Sequence, residues 1–110
     1  MVKVGVTQPS GLLSTVIIGN SVTYIGEAAF SLCNRLSSIT IPKSVKAFGP
    51  AVFFRSTNLT TIESLIEEPF AFGSNLVDDF SKVILFVPAG TKSKYESTDG
   101  WKRFHHIVEG

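Results

Sequence analysis

The chain has 110 residues, which suits a single domain with a real core, and 44% of them are hydrophobic, which argues against intrinsic disorder. Ten basic and nine acidic residues leave a net charge of +1 with no basic stripe, so nothing indicates a nucleic-acid partner or an anionic membrane. The single cysteine, Cys33, has no partner for an internal disulfide or a structural zinc site.

The N-terminal part of the chain contains only short apolar stretches. Residues 2–6 are valine-rich and alternating, which predicts a short extended segment. Residues 12–18 are interrupted by Ser14 and Thr15 and are too short to cross a bilayer. No small-residue cleavage pattern follows a charged start, so no secretory signal is recognised. We therefore expect either an intracellular protein or an excerpt from a longer one.

Residues 18–62 contain two copies of a 23-residue repeat. One copy begins IGNSVTYIGEAAF at Ile18, and the next begins IPKSVKAFGPAVF at Ile41. Residues of the same type recur 23 positions apart in the pairs Ser21/Ser44, Val22/Val45, Gly26/Gly49, Ala28/Ala51, Phe30/Phe53, Leu36/Leu59 and Ile39/Ile62. The tail of a further copy ends at residue 18. A period in this range is typical of a solenoid, in which each copy of the repeat forms one coil of the stack.

Each copy predicts two extended pieces and a turn. Residues 36–42, LSSITIP, alternate so that Ile39 and Ile41 face the core, and the proline ends the strand. Residues 44–48, SVKAF, predict a second extended piece, followed by a turn at Gly49. Residues 50–53, PAVF, predict a short helical turn that opens with proline. Stacking of the copies should place Phe30 over Phe53.

The repeat spacing is lost after Ile62, because Ser64 stands where an inward apolar residue is expected. Residues 82–88, KVILFVP, predict a new strand with Leu85 and Val87 in the places of Ile39 and Ile41. A short helix is predicted to begin after Thr91 as N-cap. The aromatic and aliphatic residues expected to anchor this helix and cover the last coil are Tyr95, Trp101, Phe104, Ile107 and Val108. We therefore predict one domain, 1–110, comprising a partial N-terminal repeat (1–18), two repeats (18–62), and an irregular segment with a C-terminal cap (63–110).

The pattern SVxxIGxxAF, followed by a polar bend and LxxIxIP, resembles the BspA-like leucine-rich repeat. Residues 85–109, LFVPAGTKSKYESTDGWKRFHHIVE, resemble the C-terminal unit of such proteins, and residues 64–72, SLIEEPFAF, resemble the irregular segment before it. The resemblance implies a right-handed solenoid of leucine-rich-repeat type with short parallel strands, short helical turns and a C-terminal α/β cap. It also implies a bacterial cell-surface protein, often lipid-anchored, that acts in adhesion or protein binding. It implies no catalytic residue.

Reactive residue types are present but form no recognisable reaction centre. Cys33 could be a redox or nucleophilic thiol, but Ser56 takes the equivalent place in the next copy, which favours an inert side chain. Adjacent His105 and His106 point apart in any regular element and make a poor metal chelate. Solvated loop charges are the favoured interpretation of the acidic residues Glu67, Glu68, Asp78 and Asp79. The sequence thus predicts no catalytic, metal or cofactor site.

The remaining candidate site is the exposed side of the stacked strands, since leucine-rich solenoids bind partners on extended faces. Its predicted residues are Thr15, Ile17, Ser38, Thr40, Thr61 and Glu63. The leading hypothesis is a non-enzymatic interaction module with a protein partner; an ordinary solvated surface is the alternative at these residues. A purely structural C-terminal cap of a longer array, a glycan-binding surface, and an enzyme or metal protein remain open. At the N-terminal end, residues 2–6 could fold over the first coil as a partial cap; otherwise the open coil predicts self-association with another copy of the chain.

Overall fold

The computed structural model describes residues 3–4, 15–27, 30, 36–73 and 76–110, with the backbone alone at residues 3–4 and 15–17. Two 3₁₀ turns, Phe80–Lys82 and Trp101–Arg103, accompany the regular elements. These elements are β1 (Lys3–Val4), β2 (Thr15–Ile17), β3 (Tyr24–Ile25), β4 (Ser38–Ile41), β5 (Ala47–Phe48), β6 (Thr61–Ser64), β7 (Ile84–Val87), α1 (Lys92–Glu96) and β8 (His106–Glu109). In the part of the chain described, no helix has the length and apolar character needed to cross a membrane.

The strands form two parallel sheets. The larger has the order β2-β4-β6-β7-β8, and the smaller has the order β1-β3-β5. In the larger sheet Ser38 pairs with Thr61 and Thr61 pairs with Ile84, so a 23-residue step joins β4 to β6 and β6 to β7. The last step, from Ile84 to His106, is 22 residues. The backbone therefore keeps nearly the same step beyond residue 64, where the sequence repeat is lost.

The inner side of the larger sheet is a ladder of buried aliphatic residues. Ile39, Ile62, Leu85 and Ile107 occupy one register row, and none is more than 7% exposed. Ile41 and Val87 are also buried, which confirms the inward positions predicted for both strands. Alternation produces this ladder, since successive side chains of a strand point to opposite sides of the sheet.

The opposite wall of the core is a stack of aromatic and aliphatic side chains. The Phe30 and Phe53 rings lie 5.8 Å apart at their centroids and 13° from parallel, which confirms the predicted stacking. The Phe30 N–H donates to Val52 O, and the Phe53 N–H donates to Leu76 O. Leu76 is fully buried and lies 23 residues after Phe53, so it continues this stack into the next coil.

The prediction of a short helical turn at residues 50–53 is wrong. Ala51 has φ of +56°, outside the right-handed helical region, so Pro50 does not begin a helix. The segment is a turn because the Phe53 N–H bonds to Leu76 of the next coil instead of to its own preceding turn. Gly49 is required by close approach: a Cβ there would lie 2.5 Å from the Glu27 nitrogen of the coil before.

Residues 88–105 connect β7 to β8 and bury large aromatic side chains against the last coil. Tyr95 and Trp101 are fully buried, and Phe104 is 3% exposed. The Trp101 indole donates to Phe70 O at 2.7 Å, and its ring lies 5.5 Å from that of Phe48. These contacts tie the C-terminal segment to the irregular segment at Phe70 and to the smaller sheet at Phe48.

Two details of the C-terminal prediction are corrected. Thr91 stands at the N-cap of α1, but its hydroxyl donates back to Pro88 O at 2.7 Å and does not cap the helix. Val108 was expected to cover the core and is instead 42% exposed. Because Ile107 points inward, alternation turns Val108 outward.

The predicted N-terminal segment 2–6 is described only at Lys3–Val4. These two residues form β1, which pairs in parallel with β3 at the edge of the smaller sheet. The remaining residues of this segment, and Cys33, lie outside the described residues.

Candidate functional site

The exposed side of the larger sheet, here called the outer face, presents two rows of side chains that cross the strands. One row contains Ser38, Thr61, Ile84 and His106, and the other contains Thr40, Glu63, Phe86 and Val108. Neighbouring strands lie about 4.8 Å apart, so adjacent side chains within a row are in reach of one another. The outer face is thus a continuous surface built from β4, β6, β7 and β8.

The structure brings four of the six predicted site residues together on this face. Ser38 pairs with Thr61, and Thr40 pairs with Glu63, in neighbouring strands. The Thr40 hydroxyl donates to Glu63 Oε1 at 3.2 Å. The backbones of Thr15 and Ile17 pair with Ser38 and Thr40, but their side chains lie outside the described residues.

Glu63 is the acidic centre of the outer face. Its side chain is exposed, and its Oε1 accepts from Thr40, while Oε2 has no hydrogen-bond partner in the described part of the chain. Directly across the ladder stands Phe86, which is half-buried. A carboxylate oxygen is therefore available beside an aromatic ring.

An apolar half of the outer face was missed by the sequence analysis. Ile84 is 39% exposed, and Leu65 and Val108 are each 42% exposed. Leu65 belongs to the same surface because its N–H donates to Ile41 O at 2.9 Å, which continues the ladder of β6 by one residue. With Phe86 these side chains form an apolar block beside Glu63. Alternation in residues 82–88 could have revealed it, since inward Leu85 and Val87 require outward Ile84 and Phe86.

A shallow cavity of about 260 Å³ opens at the end of this apolar block. Glu63, Leu65, Phe86 and Pro88 are among the residues that line it. The volume is below that of a typical pocket for a drug-sized ligand or cofactor, which is about 300–1,000 Å³. It suits one side chain of a partner.

Three of the four acidic residues considered in the sequence, Glu68, Asp78 and Asp79, have structural partners. Asp78 Oδ1 accepts from the Arg55 N–H at 2.7 Å. Asp79 accepts from the Ser81 hydroxyl and N–H, and these two hydrogen bonds lower the pKa of its carboxyl. Glu68 forms an exposed ion pair with Lys94. These carboxylates hold turns and surface contacts and do not converge on a common point.

Other reactive residue types also lack a shared site. His105 and His106 are both exposed. The Ser56 hydroxyl is buried and donates to Phe30 O at 2.6 Å, which is a structural role for the residue equivalent to Cys33. In the ranges described, no three His, Cys, Asp or Glu side chains are grouped so that they could hold a metal ion.

Comparison with known families identifies the chain. A family model described as BspA type Leucine rich repeat region (6 copies) matches residues 9–76, more than half of the chain. The chain therefore belongs to the BspA-type leucine-rich repeat family, as the repeat pattern indicated. Such families generally act in protein interaction and are generally non-enzymatic. Neither a curated protein nor a solved structure matches the chain.

Proposed function

We propose that this chain is a non-enzymatic protein-interaction module that binds its partner through the outer face. The observation that carries the proposal is the exposed apolar block beside Glu63. Leu65, Ile84 and Val108 expose about two fifths of their surface each. Ile84 precedes Phe86 by two residues, Val108 pairs with Phe86, and Leu65 follows Glu63 by two residues. Contiguous exposed apolar residues with a polar border are typical of protein–protein interaction sites. The general role of the repeat family supports the same function.

We also propose that the protein acts at a bacterial cell surface, in adhesion. The support is the family, since BspA-type repeats are commonly surface-associated. An adhesion role requires a surface that remains accessible to a partner in the folded protein. The outer face meets that requirement because the core residues of β4, β6, β7 and β8 all lie on the other side of the sheet.

In the architecture that we propose, the coils form a right-handed solenoid, and residues 63–110 form an irregular segment and the C-terminal cap. Parallel strands joined by a crossover are right-handed in nearly all proteins. The cap is supported by the buried Tyr95, Trp101 and Phe104, which cover the last coil. Repeat stacks need an atypical end unit to shield the core.

A purely structural role as the cap of a longer array is the second candidate function. The same burial of Tyr95 and Trp101 favours it. The two candidates differ at the outer face, because a structural cap has no need of exposed Ile84 and Phe86. Substitutions on that face should leave partner binding unchanged if the structural role is the whole function.

A selection experiment tests the interaction function. A phage library of random dodecapeptides is selected on the immobilised protein, and enriched peptides are assayed against the variants Phe86→Ser and Phe54→Ser. Phe54 is the matched control, because it is 39% exposed and lies on the turn side of the coil. We expect binding to be lost with Phe86→Ser and kept with Phe54→Ser. Equal binding to both variants, or no enriched peptide, would contradict the proposal.

A further inference from the structure

We infer that the outer face recognises a partner segment presenting an arginine between apolar residues, with the guanidinium bound by Glu63 and stacked on Phe86. The inference rests on the proposed interaction function and names the chemistry of the partner. Three observations carry it: the charge at the centre of the face, the aromatic ring across from it, and the apolar side chains around both.

The negative charge of Glu63 on the outer face favours a partner that supplies a cation. Among the described residues of its two rows and Leu65, Glu63 is the only carboxylate. Its neighbours along and across the strands are Thr40, Thr61, Leu65 and Phe86, none of which carries a charge. The Thr40 hydroxyl donates to Glu63 Oε1 at 3.2 Å. This hydrogen bond orients the carboxylate and leaves Oε2 to accept from a donor on the partner. A bound partner that displaced water here without supplying a cation would leave this charge uncompensated.

The neighbouring ring favours arginine over lysine. Glu63 and Phe86 are direct partners in the ladder, so their Cβ atoms are separated by about 5 Å. A guanidinium is planar and weakly hydrated, and it can stack on the ring while its N–H groups donate to the carboxylate. A lysine ammonium is a compact and strongly hydrated charge, so it satisfies the carboxylate without covering the ring.

The chain itself contains the arginine-on-phenylalanine arrangement. The guanidinium carbon of Arg103 lies 4.7 Å from the centroid of Phe80, and that of Arg55 lies 5.4 Å from the centroid of Phe54. Partly exposed phenylalanines of this fold are thus accessible to a guanidinium placed above them. Phe86 is of this kind and has a carboxylate beside it as well.

The apolar side chains define what should flank the arginine. Ile84 and Val108 lie on one side of Phe86, and Leu65 lies beyond Glu63 at the shallow cavity of about 260 Å³. Apolar residues of the partner that cover these positions would exclude water from the ion pair and strengthen it. The partner chemistry is therefore one arginine with aliphatic neighbours.

Blocked pentapeptides of the order serine, leucine, X, valine, serine test the inference, where X is arginine, lysine, citrulline or glutamate. Affinities come from ¹⁵N–¹H NMR titration of the whole chain. We expect the arginine peptide to bind about tenfold more tightly than the uncharged citrulline peptide, with lysine between them. Glu63→Gln should remove the preference for arginine over citrulline. Phe86→Leu should remove only the preference for arginine over lysine.

A charge exchange and a matched control sharpen the test. Glu63→Lys should bind the glutamate peptide more tightly than the arginine peptide, which reverses the order found for the unchanged chain. Glu67→Gln makes the same change of charge as Glu63→Gln, but at an exposed glutamate outside the two rows, and it should leave the order of affinities unchanged.

Several results would overturn the inference: equal affinity for arginine and citrulline, an arginine preference that survives Glu63→Gln, or no binding of any pentapeptide. A rise in mass with concentration that Phe86→Ser abolishes would assign the face to a second copy of the chain and would also overturn it. Failure of the proposed function can be distinguished from failure of the arginine inference. If selected dodecapeptides depend on Phe86 but show no arginine preference, the interaction function stands and only the arginine inference fails.

Discussion

The hydroxyl groups of Ser64 and Tyr95 lie 2.7 Å apart inside the core, although 31 residues separate them in the chain. Tyr95 also donates to Ile66 O, and the Ile66 N–H donates to Ser64 Oγ at 3.3 Å. Ser64 is 1% exposed and Tyr95 is fully buried. Every polar group of this cluster is thus satisfied, which explains how a serine occupies an inward position where the repeat expects an aliphatic residue.

Removing the Tyr95 hydroxyl should destabilise the fold. Tyr95→Phe leaves the Ile66 carbonyl buried without its donor, and we expect the free energy of unfolding to fall by about 1–3 kcal/mol. Urea denaturation measures the change. Ser64→Ala should also destabilise the fold, because the buried Ile66 N–H loses its acceptor even though Tyr95 keeps its bond to Ile66 O. An unchanged stability for Tyr95→Phe would show that the cluster contributes nothing.

The same phenol should make stability depend on pH in the alkaline range. Burial raises the pKa of Tyr95 from 10.0 to about 12, although the Ser64 hydrogen bond lowers it slightly. The folded protein then holds this proton more tightly than the unfolded chain does. The contribution of this raised pKa to the free energy of unfolding is complete below pH 10 and is lost as the pH rises through 12. The difference in unfolding free energy between the unchanged chain and Tyr95→Phe should therefore shrink over this window, and a constant difference would refute the assignment.

The stacked rings of Phe30 and Phe53 should be major contributors to stability. Both residues are only 1% exposed, so substituting either one with alanine should lower the free energy of unfolding by about 3–5 kcal/mol. The double variant should cost less than the sum, because the rings contact each other at 5.8 Å. Phe54→Ala, which changes an exposed phenylalanine, is the control and should be nearly neutral. Fully additive losses would contradict direct stacking.

Two glycines provide a matched pair for testing the close approach of coils. A Cβ at Gly49 would lie 2.5 Å from Glu27 N and 2.9 Å from Gly26 C, so Gly49→Ala must displace backbone atoms of the coil before. We expect a loss of about 1–3 kcal/mol on thermal or urea unfolding. At Gly19 a Cβ would meet no atom within 4 Å, so Gly19→Ala should be neutral or slightly stabilising. Equal effects of the two substitutions would contradict the coil spacing.

Local alternation and the 23-residue repeat predicted the parts of the fold that depend on residues close in sequence or on equivalent positions of successive repeats. The inward positions of Ile39, Ile41, Leu85 and Val87, and the stacking of Phe30 on Phe53, follow from those patterns and are confirmed. The burial of Ser64 at an inward position of β6 was not predicted. It depends on the Tyr95 hydroxyl that satisfies Ser64, and a partner 31 residues away leaves no local pattern.

The outer face was half predicted for a similar reason. The polar members Ser38, Thr40, Thr61 and Glu63 lie within the repeats, where period and alternation agree. The apolar members lie beyond the two sequence repeats: Leu65 directly follows β6, and the others lie on β7 and β8. Val108 was assigned to the core because it follows Ile107 as a second apolar residue, but a strand can turn only one of two neighbours inward.

Mapping a selected dodecapeptide on the chain by ¹⁵N–¹H NMR shows whether the outer face is the interaction surface. We expect the amides of β6, β7 and β8 to shift most, with Glu63, Leu65 and Phe86 at the centre. Shifts concentrated instead in the turn at residues 50–57 or on α1 would place the binding surface on another side of the coil and would contradict a role of the outer face in binding.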